Sequence, residues 1–268
     1  MKLGLIGKVL GHSLSPAIHE KLFRKLSLPD TYDLIEIPEE GFDNRFRQVL
    51  DSYDGLNVTI PYKRTVMPFL DEISGEAERI GAVNTIEKRD GRLIGHNTDY
   101  TGFARTLDRI GADVKGRDTA VLGHGGASRA IIQCLFDRGA RSVIVVSRHP
   151  GDVDRDFAAF ARDRKCTVTD YASFEKSPSG YLLVNATPVG MFPKTGVSPL
   201  SAEKTASFEK VIDIIYNPKE TKLLQDASGD RENGMFMLVM QAAAAEEIWQ
   251  GREIPADIVG EIAEEMEA

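Results

Sequence analysis

Between an apolar, strand-like run and a helical stretch stands Gly123-His124-Gly125-Gly126-Ala127-Ser128-Arg129. In that setting glycines let a backbone pass close to a pyrophosphate. Gly123, Gly125 and Gly126 leave the room, and the free N–H groups of the helix start, around Ala127, offer hydrogen bonds and a positive dipole end to phosphates. Ser128 holds the place of the third glycine of the common fingerprint, and the competing reading is a tight strand-to-helix turn with no ligand. At the end of the second strand an acid would accept from the ribose 2′-OH of NAD, but here the residues are Ser147-Arg148-His149. Arg148 cannot accept that bond, and its planar guanidinium suits a 2′-phosphate, so the chain leans to NADP over NAD.

The first hundred residues hold more polar groups than structural strands and helices require. Ser13 and Ser15 precede Pro16, where Ser15 reads equally as a helix cap and Ser13 as a loop hydroxyl. Asn57 and Thr59 alternate with Val58 and Ile60, so they share one face of a predicted strand that Pro61 ends. Lys63 follows closely enough to project over the strand's end, although a lone lysine is usually a solvated charge. Asn84 falls within a strand-like run, and Asp99 stands just ahead of a helix that it would also cap.

The elements that must position these groups follow an α/β rhythm. Strands are predicted over 3–7, 32–37, 56–60 and 82–87, with helices over 16–26 and 42–50. Asp90-Gly91 between apolar flanks is a two-residue hairpin turn. After Asp99 come a helix over 101–110, a polar break over 111–118 and a strand over 119–122. The glycine loop then opens an amphipathic helix to about residue 138, and a buried strand fits 142–146. Further strands fit 181–185 and 211–215, and helices fit 233–250 and 255–266.

With 268 residues and 42% hydrophobic content, two packed cores are expected. The formal charge of −8 argues against a surface that neutralises nucleic-acid phosphates. The apolar run MFMLVMQAAAA is too short for a bilayer, and MKLGLIG lacks the pattern of a secretory signal, so a cytoplasmic protein without membrane contact is predicted. Cys134 and Cys166 lack metal-ligand spacing and read as reduced thiols, with no metal site expected. The sequons at Asn57 and Asn185 are taken as coincidence.

Taken together, the segments HSLSP, NVTIPYK, GAVNT, GHNTDYTGF, GHGGASRA, NATPVGM, DIIYNP and GMFMLVMQA resemble, in order, the signature blocks of the shikimate dehydrogenase family over nearly the whole chain. The resemblance implies NADP-dependent interconversion of 3-dehydroshikimate and shikimate in the aromatic amino-acid pathway. Lys63 and Asp99 match the family's catalytic pair. Ser13, Ser15 and Tyr216 match its carboxylate site, and Asn57, Thr59, Asn84 and Gln241 its hydroxyl contacts. Gly123, Gly125, Gly126, Ala127, Ser147, Arg148, Thr187 and Gly234 match cofactor positions.

The implied fold has two domains. An α/β substrate domain of residues 1–99 is completed by 238–268 as the C-terminal helix returns, and a Rossmann-like dinucleotide-binding domain spans 100–237. A monomer or homodimer is implied. The chain departs from the family at GKVLGHS, at Tyr62 and at Ser147-Arg148-His149, where many NADP-dependent members have Asn-Arg-Thr. The alternatives are an NAD-dependent quinate or quinate/shikimate dehydrogenase and a catalytically idle metabolite-binding relative.

Overall fold

The computed structural model describes residues 1–177 and 179–268. They form two compact units, one of residues 1–102 with 238–268 and one of residues 103–237.

The first unit begins β1 (Lys2–Gly7), α1 (Ser15–Leu26), β2 (Thr31–Glu36), α2 (Phe42–Ser52) and β3 (Gly55–Val58). It continues with β4 (Glu72–Ile73), α3 (Gly75–Ile80), β5 (Thr85–Arg89), β6 (Arg92–His96) and the start of α4 (Thr98–Arg109). Its sheet runs β2-β1-β3-β5-β6-β4, with β1 parallel to β2 and β3, and β5 antiparallel to β3 and β6. Residues 3–7 of β1 are buried on both faces, as an inner parallel strand requires. The β5–β6 hairpin closes through Asp90 and Gly91 with φ 51° and 76°, the two positive values its turn demands.

The second unit carries β7 (Asp118–Leu122), α5 (Gly126–Asp137), β8 (Ser142–Val146), α6 (Arg155–Asp163), β9 (Thr167–Thr169) and α7 (Tyr171–Glu175). Then follow β10 (Leu182–Asn185), α8 (Ala202–Ala206), β11 (Lys210–Asp213), α9 (Lys222–Gln225) and β12 (Asp230–Glu232). All pairs in its sheet are parallel, in the order β12-β11-β10-β7-β8-β9. Numbered within the unit, that is 6-5-4-1-2-3, the order of a doubly wound dinucleotide fold.

The chain ends in α10 (Met235–Gln250) and α11 (Ala256–Glu267). α10 is apolar around its circumference and so must be enclosed, and Ala242, Ala243, Ala245 and Glu246 are fully buried. Within the first unit, Trp249 Nε1 donates to Ile86 O at 3.0 Å. A Cβ on Gly55 would stand 2.4 Å from that indole nitrogen, so a glycine there lets the indole close over β3. Lys21 and Lys25 of α1 pair with Glu265 and Glu261 of α11.

Several boundaries differ from those the sequence predicts. The strand predicted over 82–87 starts at Thr85, because the Asn84 side chain turns to α4 and accepts from Thr98 N at 2.7 Å. That bond lets α4 begin at Thr98, ahead of the predicted 101, with Asp99 in its first turn. Ser15 does not cap α1: it is the first helical residue, and its N–H donates to Ser13 Oγ at 3.2 Å. β3 ends at Val58, which leaves Thr59 beyond the strand whose face the sequence has it share with Asn57. α5, predicted as an amphipathic helix, is buried at every position from Ser128 to Leu135.

Candidate active site

The Lys63 turn is held in place by its neighbour. Tyr62 is buried, its ring stacks on Phe42 with centroids 4.2 Å apart, and its hydroxyl donates to Ile37 O. Val83 N donates to Lys63 O at 2.8 Å, which ties the same turn to the segment before β5. With its backbone fixed on both sides, Lys63 reaches Asp99, and Nζ lies 2.5 Å from Oδ2 with side chains only 16% and 12% exposed. So little exposure shields the pair from salt and water, unlike a surface ion pair.

Asp99 is held from its other oxygen by Asn84, whose Nδ2 donates to Oδ1 at 2.9 Å. Asn84 also meets Thr98 and Thr85 at 3.1 Å each, and Asn57 Nδ2 donates to Thr85 Oγ1 at 3.0 Å. Lys63, Asp99, Asn84 and Asn57 therefore form one connected network. Thr85 and Thr98, both fully buried or nearly so, complete it. Neither stands out in the sequence, where a threonine in GAVNT or GHNTD looks like an ordinary strand or helix-start residue.

Ser13 and Ser15 are half-buried and bonded to each other, and Gln241, in α10, donates to Leu238 O at 2.8 Å. Thr59 makes backbone bonds only, so its half-buried hydroxyl is available. Tyr216, half-buried in the second unit, has its phenol pushed up by burial.

In the second unit a cleft of about 900 Å³ opens at the carboxyl ends of β7, β8 and β10. That is the switch point, where β7 has its strand neighbours β8 and β10 on opposite sides. Gly123 has φ +95°, and a Cβ there would come within 2.8 Å of Thr187 Cγ2 and 3.2 Å of Ala186 O. Gly125 precedes α5, and the first N–H groups of that helix, through Gly126 and Ala127, lack helical partners.

Thr187 is locked by Asn185, whose Oδ1 accepts from its N–H at 3.0 Å and its hydroxyl at 2.7 Å. Asn185 is held in turn by Asp213, at 3.0 Å. On the far side of the cleft Ser147 is buried, while Arg148 and His149 are exposed. The Arg148 guanidinium makes no hydrogen bond or ion pair among the described residues. Asp152 also lines the wall. Gly234 is not among the lining residues; it packs on backbone, where a Cβ would lie 1.9 Å from Ile214 O.

A cleft edged by a glycine loop at a helix start, with the Arg148 guanidinium at its lip, fits a phosphorylated dinucleotide. Among the described residues no group of three or more His, Cys, Asp or Glu could hold a metal ion, and no helix is long and apolar enough to cross a membrane.

Fold and cleft define a two-unit α/β protein of the dinucleotide-binding class. Residues 5–86 match the family described as the shikimate dehydrogenase substrate binding domain. Shikimate dehydrogenase (NADP(+)) of Clostridium perfringens is 42% identical over 99% of this chain and 98% of that protein. A chorismate mutase/shikimate 5-dehydrogenase fusion protein of Clostridium acetobutylicum superposes with a TM-score of 0.93 at 40% identity, covering 99% of this chain and 97% of that one. Shikimate 5-dehydrogenase of Thermus thermophilus, solved with NADP(H) and shikimate, gives 0.86 at 34% identity and 99% coverage of both chains. The chain belongs to the shikimate dehydrogenase family.

Proposed function

We propose that this chain is an NADP-dependent shikimate dehydrogenase that reversibly reduces 3-dehydroshikimate to shikimate. The observation that carries the reading is the shielded Lys63–Asp99 pair tied through Asn84 to Asn57. Its relatives named for this activity support it over nearly the full chain.

A nicotinamide cofactor held in the second unit's cleft would supply the hydride chemistry, as acceptor from a carbinol carbon or donor to a ketone carbon. Lys63 takes the hydroxyl proton as the hydride leaves, and in reduction gives a proton to the ketone oxygen. Asp99 holds the Lys63 nitrogen in place and is itself held by Asn84. Ser13 and Ser15 bind the substrate carboxylate, and Asn57, Thr59, Asn84 and Gln241 bind its hydroxyls. Neutral donors suit this task in a chain of net charge −8, since a buried acid would repel the carboxylate.

Residues 1–99 with 238–268 act as the substrate domain and 100–237 as the dinucleotide-binding domain. Gly123, Gly125, Gly126 and Ala127 receive the pyrophosphate, Ser147 and Arg148 the 2′-phosphate end, and Thr187 lines the same cleft. We assign the chain to the cytoplasm, as a monomer or homodimer. Burial pushes the Cys134 and Cys166 thiols up to about 12 and about 11, which keeps them unreactive in a reducing compartment.

Steady-state rates with shikimate or quinate, each with NADP or NAD, test the reading. Shikimate with NADP is expected to give the highest kcat/KM, and a faster reaction with quinate and NAD would overturn it.

A further inference from the structure

Tyr32, on β2, touches the network from the side opposite Lys63. Its ring stacks on His19 with centroids 3.8 Å apart and planes 12° from parallel. His19 is fully buried and bonded through Nδ1 to the equally buried Glu246 at 2.6 Å. The phenol ring is thus clamped from behind, which aims its hydroxyl. That hydroxyl lies 2.7 Å from Asn57 Oδ1.

Which group donates follows from the neighbours. Asn57 Nδ2 lies 3.3 Å from Asn84 O, and a backbone carbonyl can only accept, so the amide NH2 is on that side. Oδ1 therefore faces Tyr32, and Tyr32 donates. The rest of the line runs the same way. Asn57 donates to Thr85, Thr85 to Asn84 and Asn84 to Asp99, while Lys63 donates to Asp99 from the far end. Donors aligned head to tail polarise one another. Burial pushes the phenol well up, so its proton stays in place.

We propose that Tyr32 is a positioning residue for substrate binding: its hydroxyl fixes the Asn57 amide and so the donor direction of the line that ends at Asp99. This role rests on the proposed function, in which Asn57 binds a substrate hydroxyl.

Tyr32→Phe keeps the ring and its stack on His19 and removes only the donor. One lost hydrogen bond of ordinary net strength corresponds to about three- to tenfold in affinity. The variant is therefore expected to raise KM for shikimate by about that factor, with KM for NADP and the melting temperature near wild type. In an Asn57→Ala background the same change should alter KM by less than about twofold, because Tyr32 acts through Asn57. Thr85→Val, which cuts the line one bond further on without touching His19, should move KM for shikimate in the same direction.

An unchanged KM in Tyr32→Phe or in Thr85→Val overturns the role, as does a full effect of Tyr32→Phe when Asn57 is absent. Wild-type turnover of shikimate with NADP is measured in the same assay. If it is absent, the proposed function fails and this role with it; if it is present beside an indifferent Tyr32→Phe, the role alone fails.

Discussion

The two candidate sites are built from opposite materials. In the first unit the working groups are buried side chains bonded to one another before any ligand arrives, from Asn57 through Asn84 to the Lys63–Asp99 pair. In the second unit the helix-start end of the cleft is a glycine loop of bare backbone, with Gly123 held at φ +95° and Arg148 exposed at the rim, while side chains such as Tyr171, Val189 and Met191 line the rest. A preformed side-chain network acts on chemistry and loses rate when one member is removed, because the remaining polar groups stay poised around a gap. A backbone cradle acts on binding and loses affinity when space is filled or a rim charge is reversed.

The largest effect that could break this contrast is at Lys63. Lys63→Ala should lower kcat by on the order of 10² to 10⁴ with a modest change in KM, as for a lost general acid or base. A raised KM with near-normal kcat would make the first site a binding cradle like the second. Next comes Arg148→Asp, expected to shift the NADP-to-NAD ratio of kcat/KM by about ten- to a hundredfold, the value of one charge-assisted contact. An unchanged ratio in the two-cofactor assay would reduce Arg148 to a solvated surface charge.

Smaller changes separate space from conformation. Gly123→Ala meets both a positive φ and Thr187 Cγ2, so unfolding should become easier by about 1–3 kcal/mol, with KM for NADP raised as well. Gly125 has φ −78°, and nothing lies within 4 Å of the place a methyl group would take, so Gly125→Ala should leave the melting temperature alone and still raise KM for NADP. An unchanged KM for NADP in Gly125→Ala would show that the loop is not a pyrophosphate cradle.

The smallest expected effect lies beneath the cleft. Burial pushes Asp213 up to about 6 from an ordinary 3.8, and bonds from Thr221, Ile215 and Asn185 only partly oppose it. Between about pH 4 and 6 the folded chain holds a proton that the unfolded chain has lost. Stability from this group therefore falls as pH rises through that window. Asp213→Asn should remove the fall, changing the wild-type minus variant unfolding free energy by on the order of 2 kcal/mol between pH 4 and 7 in denaturant titrations. A difference independent of pH would show that Asp213 is ionised throughout.

Much of the first site is legible in the sequence because its residues sit in dense polar motifs whose spacing is visible in one dimension. Asn84 stands out there, but its strand is drawn too long, since nothing local reveals that its side chain caps α4. Tyr32 and Thr85 escape notice for the same reason: the Tyr32–Asn57 bond spans 25 residues and the His19–Glu246 bond 227. In the second unit the glycine loop and the strands around 119–146, 181–185 and 211–215 are visible as apolar runs. The short elements α6 to α9, β9 and β12 are not, because helices of four to nine residues and strands of three carry too little periodicity to stand out.

The shared ownership of α10 also bears on how the chain is made. Residues 103–237 are contiguous, so that unit has its whole sequence outside the ribosome while the first unit still lacks residues 238–268. Until those emerge, β3 has no indole over Gly55, and His19 has no Glu246. Of the two units, the one whose synthesis starts earlier therefore finishes folding later, and in the interval its sheet face lacks the cover of the C-terminal helices and is exposed to chaperone capture.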